Sequence, residues 1–334
     1  MRRATGFPVT LYIFQMPANK PSRLLVVLCF AAVYILWGST YLGIRLAIET
    51  LPPFLMAATR FMTAGGILFL IAIFNGARVR QSLANWRHAF IIGGLLLLCG
   101  NGGVTWAEKY IASSFAALFV ATEPLWVVVL NWGITHSRPN AKVLLGILIG
   151  LAGVGLLVSD GLGHAAGASK MGLIGGGVVL LASLAWAGGS VYASRNPIDA
   201  PTSMTSGMQM LAGGSLLMLL ALVTGDVGRL QFANASWTSL GAFIYLLLFG
   251  SLVGFTAYSF LLKNVSPESA ATYGYVNPVV AVLLGWSIAG EPLTLKMMLA
   301  AAIIVGSVIL ITTYGREHVA AAGHDSECPT PPCA

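Results

Sequence analysis

The sequence predicts an all-α integral membrane protein with ten transmembrane helices in two inverted five-helix repeats. Three observations predict it. Hydrophobic residues make up 57% of the chain and charged residues only 9%, against about 25% charged in a soluble domain. The apolar runs are long and do not alternate, which suits helices and not a barrel. The two halves carry matching polar and proline positions at nearly constant spacing. Each half holds an odd number of spans, so the second enters the bilayer upside down relative to the first.

A crossing takes about 20 residues. The stretches that meet this are 24–47, 53–74, 88–107, 113–134 and 141–159 in the first half. The second half supplies 171–194, 204–224, 238–262, 268–289 and 295–314. Turn chemistry separates them at Leu51-Pro52-Pro53, Asn75-Gly76, Arg138-Pro139-Asn140, Asn196-Pro197, Ser266-Pro267 and Glu291-Pro292. Residues 1–23 read as a basic cytoplasmic extension. Met1-Arg2-Arg3 and the short apolar run after it lack the length and cleavage site of a signal peptide, and Met16 offers an alternative translation start. Residues 24–160 form the first repeat, 171–314 the second, and the Pro-rich 315–334 a disordered cytoplasmic tail.

The +7 net charge is topological information and not a nucleic-acid footprint, because the basic residues sit in short loops and form no stripe. One set of loops and termini holds Arg2, Arg3, Lys20, Arg23, Arg78, Arg80, Arg87, Arg138, Lys142, Arg195, Lys263 and Arg316. The opposite set holds Arg45, Lys109, Lys170, Arg229 and Lys296. The excess places both termini of this multi-pass protein in the cytoplasm. Cys29 and Cys99 lie in apolar runs as packing residues. Cys328 and Cys333 lack metal-ligand spacing, and the histidines are scattered, so no metal or other cofactor is expected.

The repeat is read from ordered matches. Trp37-Gly38 pairs with Trp186-Ala187, and Ala64-Gly65-Gly66 with Ala212-Gly213-Gly214. Lys109, Glu123-Pro124 and Lys142 pair with Lys263, Asn277-Pro278 and Lys296. Pro124 and Pro278 are expected helix breaks, since proline cannot donate to the carbonyl four residues earlier. Gly146-Ile147-Leu148-Ile149-Gly150 and Ala302-Ile303-Ile304-Val305-Gly306 are small-residue faces that suit close helix packing.

Several segments carry a family resemblance. They are Ile35–Tyr41, Arg60-Phe61, the Glu123-Pro124 segment, and Tyr275–Gly285 followed by Gly290-Glu291-Pro292. Together they resemble the EamA family of the drug/metabolite transporter superfamily, with the YedA-like exporter group nearest. The resemblance covers about residues 24–314. It implies ten helices around a central cavity lined by the first, third, fourth, sixth, eighth and ninth spans. It also implies export of amino acids, related metabolites or small amphipathic toxic compounds.

Glu123 leads the candidate site, because a carboxylate at mid-depth in hydrocarbon normally faces a pathway or a partner. Two roles suit it: carrying a proton that couples export, or binding a substrate ammonium. A fixed ion pair is the structural alternative. Asn277 is its counterpart in the second half. Arg60 suits pairing with Glu123 or attraction of a substrate carboxylate. Trp37 and Tyr41, Asn101 and Thr105, and Trp186 and Ser190 share helix faces at i, i+4 spacing. Phe255, Ser259 and Tyr273 match or flank them in the second half, and Gln209 is a weaker candidate opposite Arg60. Arg45, Glu108 and Lys109 read as groups that snorkel to the outer interface. The function expected is secondary transport of small amphipathic metabolites across the inner membrane by alternating access, with protons as a candidate coupling ion. The alternative is an integral-membrane enzyme acting on a lipid-linked substrate.

Overall fold

The computed structural model describes residues 22–111, 113–136, 140–158, 170–230, 234–289 and 295–324. The first extension up to residue 21, residues 159–169, the Glu291-Pro292 turn and residues 325–334 lie outside them. The described residues are helices joined by turns, with no strand among them. Helix α1 is Arg23–Ala47, α2 is Pro53–Phe74 and α3 is Leu83–Ala107. They are followed by α4 (Ser113–Val120), α5 (Glu123–Thr135) and α6 (Ala141–Val158). The second half has α7 (Lys170–Arg195), α8 (Thr202–Val223), the short α9 (Asp226–Arg229) and α10 (Trp237–Asn264). The chain continues through α11 (Pro267–Ala270), α12 (Tyr273–Ala289) and α13 (Leu295–His324).

Among the described residues six helices, α1, α2, α3, α7, α8 and α10, are long and apolar enough to cross a bilayer. Shorter apolar stretches occupy Ala141–Gly153 and Met298–Ile311. The expected spans 113–134 and 268–289 are each divided in two. Helix α13 continues to His324, into the segment expected to be a disordered tail.

Local chemistry explains the boundaries. Ser22, Ser82 and Ser236 cap α1, α3 and α10 by accepting from the backbone N–H three residues on. Pro53 opens α2 at a position where no N–H is needed. The buried Asp226 accepts from the Phe54 N–H at 3.0 Å and pairs with Arg229 at 3.2 Å, tying the start of α2 to α9. Gly76 ends α2 with φ 87°, a conformation open to glycine.

The two divided spans break by the same device. In the first, the Thr122 N–H donates to the Phe119 carbonyl at 3.2 Å, and the Thr122 hydroxyl donates to the same oxygen at 2.7 Å. In the second, Thr272 does the same to Ser269, at 3.3 and 2.7 Å. The second break therefore sits at Thr272 and not at Val276-Asn277-Pro278, about one helical turn earlier than the repeat predicts. Pro124 fits its expected role, lying in the first turn of the new helix. Pro278 does not: it lies inside the continuous α12. The two breaks pack on each other. A Cβ on Gly274 would lie 3.4 Å from the Val120 carbonyl and 3.6 Å from the Ala121 Cα.

Other features recur between the halves. Helix α3 contains a π-helical stretch at Gly94–Asn101, and α10 has one at Leu246–Phe255, the corresponding place. Helix α1 has a shorter one at Val33–Trp37, whereas α7 is α-helical throughout.

Glycines set the closest contacts. Gly65 of α2 meets Gly207, Met210 and Leu211 of α8, and Gly214 meets Met62. Gly93 of α3 meets α8 so closely that a Cβ would stand 2.5 Å from the Gln209 carbonyl and 2.7 Å from the Gly213 nitrogen. In the α6–α13 pair, Gly146 and Gly150 pack against Ile311 and Ser307 as the small-residue face predicts. Gly306 does not share that role, because open space surrounds its Cβ position. Large apolar side chains such as Leu70, Leu181, Leu219 and Ile309 face outward, as a hydrocarbon surround requires.

Gly93→Ala is expected to lower stability by about 1–3 kcal/mol through overpacking. Gly66→Ala, where nothing lies within 4 Å, is expected to be neutral or slightly stabilising, since alanine is the better helix former. Thermal unfolding of the purified protein in detergent compares the two, and equal melting temperatures would contradict the packing described.

Candidate functional site

A cavity lies among α1, α2, α3, α5, α7, α10 and α12, with an empty volume of about 680 Å³ counted with its opening to solvent. Its walls include Thr40, Tyr41 and Ile44 of α1, Arg60 and Phe61 of α2, and Asn101 and Val104 of α3. These residues lie toward the end of the bundle that holds Ala47, Pro53 and Ala107. Glu123, Asn277 and Tyr273 reach it where the divided spans cross.

The floor is aromatic. Trp37 stands at its centre, with ring centroids 4.9 Å from both Tyr258 and Tyr273 and 5.5 Å from Trp186. Its contacts with Trp186 and Tyr273 are edge-on, at 87° and 83°, the arrangement the ring quadrupoles favour. The indole N–H donates to the Gly250 carbonyl at 3.0 Å, within the π-helical stretch of α10. Gly254 makes room for this ring, since a Cβ there would collide with the indole. Tyr258 is locked from behind: its hydroxyl lies 2.6 Å from the Ser190 hydroxyl and accepts from the Trp186 indole at 3.2 Å. This layer belongs to a buried cluster with Leu25, Cys29, Phe260 and Leu261, which fills the bundle on the far side of the cavity.

Glu123 is fully buried in the first turn of α5, where the positive end of the helix favours a carboxylate. The Tyr273 hydroxyl donates to its Oε2, and Oε1 has no hydrogen-bond partner among the described residues. Asn277 is buried with Oδ1 likewise unpartnered. Arg60 donates from Nη2 to the Asn101 side-chain oxygen at 2.8 Å, and its guanidinium lies 4.2 Å from the Phe61 ring centre. Its Nε has no partner. No ion pair joins Arg60 to Glu123 among the described residues. The cavity wall therefore includes a guanidinium, a carboxyl group and an amide, each with one buried polar atom that has no hydrogen-bond partner among the described residues.

Of the residues singled out from sequence, the structure brings Trp37, Tyr41, Arg60, Asn101, Glu123, Trp186, Phe255, Tyr273 and Asn277 to the cavity. Thr105, Ser190 and Ser259 stand behind its wall. They bond Asn101 at 3.3 Å, Tyr258 at 2.6 Å and Gln209 at 3.4 Å, respectively. Arg45 is exposed as expected, with Nη1 on the Glu108 backbone carbonyl at 2.7 Å. Glu108 does not snorkel: it is fully buried. Sequence reasoning also missed Thr40, Ser183 and Tyr258. For Tyr258 the available signal was its spacing one turn after Gly254. No group of three or more His, Cys, Asp or Glu that could hold a metal occurs among the described residues.

A helical bundle with an apolar exterior, two broken helical segments packed on each other and a polar–aromatic cavity beside them has the design of a membrane transport protein. The chain belongs to the EamA-like transporter family, whose model matches residues 24–159 and 173–313. It is 41% identical over 285 residues to the "Uncharacterized inner membrane transporter YedA" of Escherichia coli (strain K12), covering 84% of this chain and 88% of that one. It is 22% identical over 308 residues to the "Uncharacterized transporter YvbV" of Bacillus subtilis (strain 168), covering 92% and 96%. A solved crystal structure with 24% identity superposes with a TM-score of 0.70, over 89% of this chain and 99% of that one. That likeness speaks to the fold. Membership in a transporter family sets the lipid-enzyme alternative aside.

Asn101→Leu leaves Arg60 buried without its side-chain acceptor. The loss expected is about 1.5–3 kcal/mol, the worth of a hydrogen bond to a charged group. Thr105→Val, which removes only the longer bond behind the wall, is expected to cost less. A thermal-shift comparison of the two variants checks the order.

Proposed function

We propose that this chain is a secondary transporter that exports small amphipathic metabolites, amino acids or related compounds, across the inner membrane by alternating access. In this reading α4 with α5, and α11 with α12, each form one divided span. With α1, α2, α3, α6, α7, α8, α10 and α13 they make ten spans in two inverted repeats. The positive-inside imbalance puts both termini in the cytoplasm. The end of the bundle at Ala47 and Ala107 is then the outer one, and this state faces outward, with the Trp37 layer closing the cytoplasmic side.

The observation that carries the proposal is that one cavity is lined by a carboxyl group, a guanidinium and an amide, each with an unmet bonding position. Glu123 Oε1 suits a substrate ammonium, and the Trp37 and Tyr273 rings beside it add cation–π attraction. Arg60 suits a carboxylate. The aromatic and aliphatic walls suit the apolar remainder of a small ligand. Coupling to protons follows if Glu123 exchanges a substrate ammonium for a proton during the cycle. Tyr273, already on the other carboxylate oxygen, would hold the side chain in place through that exchange.

The test is the profile of external metabolites from cells expressing the wild type or Glu123→Gln at equal membrane levels. A compound enriched outside with the wild type and reduced about tenfold or more with Glu123→Gln is expected, the effect of losing one charge-assisted bond. Equal enrichment in both strains would remove Glu123 from the machinery. No enrichment with the wild type would overturn export.

A further inference from the structure

Besides Glu123 and the bonded Asp226, the fold holds a third buried acid, which the transport site does not use. Glu108 follows directly on α3, at the end of the bundle toward which the cavity lies. It is fully buried, and neither carboxylate oxygen has a hydrogen-bond partner among the described residues. Arg45 is bonded to the backbone carbonyl of this residue and not to its carboxylate. Arg45 and Arg60 are the charges that act on it electrostatically, yet no ion pair joins either one to it among the described residues. Arg60 is the complementary case, with Nη2 on Asn101 and Nε unpartnered. A carboxylate and a guanidinium buried in one region with open bonding positions each carry an uncompensated desolvation cost.

The helix supplies a route between them. Asn101, Thr105 and Glu108 follow at i, i+4 and i+7, so they share one face of α3. Thr105 already donates to the Asn101 oxygen that accepts from Arg60. The face is a polar track of about 10 Å along the axis from the present partner of Arg60 to Glu108.

We propose that Glu108 is the partner of Arg60 in the opposite state: when the outer end of the cavity closes, Arg60 leaves Asn101 and pairs with Glu108. The inference rests on the alternating-access reading above. Glu108 acts through Arg60 and is a positioning residue. The ion pair exists only in the inward-facing state, so it sets the balance between the two states. It also makes loading and opening one event. A substrate carboxylate arriving from the cytoplasmic side competes with Glu108 for Arg60, and drawing Arg60 away releases the outer gate.

The experiment places a cysteine at Val104, which lines the cavity, in a background without the native cysteines. A membrane-impermeant maleimide is applied to right-side-out and to inside-out vesicles. The wild-type background is expected to label from both sides. Glu108→Gln is expected to raise the outside rate about fivefold or more, in the range of ordinary coupling energies, and to lower the inside rate, while Glu108→Asp stays near wild type. Exchanging the charges with Arg60→Glu and Glu108→Arg is expected to return the outside rate toward wild type, a result that does not depend on transport. If Glu108→Gln labels as the wild type does from both sides, the Arg60–Glu108 pair is overturned and alternating access stands. If the wild-type background labels from one side only, both readings fall.

Discussion

The structure depends on the cost of leaving a polar group unpaired where no water can reach it. Glu123, Arg60 and Asn277 are all buried beside the cavity, and each has one polar atom without a hydrogen-bond partner among the described residues. What they do have comes from precise neighbours. Glu123 takes a hydroxyl from Tyr273 in the other half of the chain, and the Trp37 indole is held by a carbonyl of α10, also in the other half. The site thus exists only where the two halves meet.

The backbone obeys the same constraint. Dividing a span frees carbonyls, and here threonine hydroxyls return to them: Thr122 to Phe119 and Thr272 to Ser269. Ser183 of α7 adds a third donor to the Phe119 carbonyl at 3.3 Å, which fastens the break between α4 and α5 to α7. The Tyr34 hydroxyl lies 2.6 Å from the Thr272 hydroxyl and does the same for the second break. The breaks are therefore well-bonded turns and not frayed ends. Glycine then lets backbones approach, at Gly274 over the first break and at Gly65, Gly93 and Gly213 between α2, α3 and α8. In lipid this packing supplies the association energy that the hydrophobic effect gives soluble proteins.

Much of the site was legible because charge and proline are rare in hydrocarbon. Glu123 and Arg60 stood out in runs with no other charge, and i, i+4 spacing placed Trp37 with Tyr41 and Asn101 near them. The same spacing failed for Thr105, Ser190 and Ser259, since a polar residue on a helix face can serve a neighbouring side chain as well as a cavity. The second break was misplaced because proline was taken as the signal, whereas a threonine returning to the carbonyl three residues back makes the turn. Thr272 carries no such mark in a single sequence, because threonine is ordinary in apolar helices. Glu108 was misread for a related reason. A charged residue at a helix end snorkels by default, and only the packing around α3 shows that this one is covered.

The displaced second break makes the two halves unequal in shape. Pro124 lies immediately beyond its turn, so the carbonyl it cannot bond belongs to Val120, at the break itself. Pro278 lies inside α12, and the carbonyl it cannot bond belongs to Gly274, within a helix that remains continuous. The second half thus contains both a formed turn at Thr272 and an unused weak point one turn on, where bending costs less than in an uninterrupted helix. The first half has the two merged. Two repeats of one design are then held in different shapes, and α1 with its π-helical stretch against the regular α7 repeats the contrast. A cavity that sits toward one end of the bundle is the expected result of that inequality.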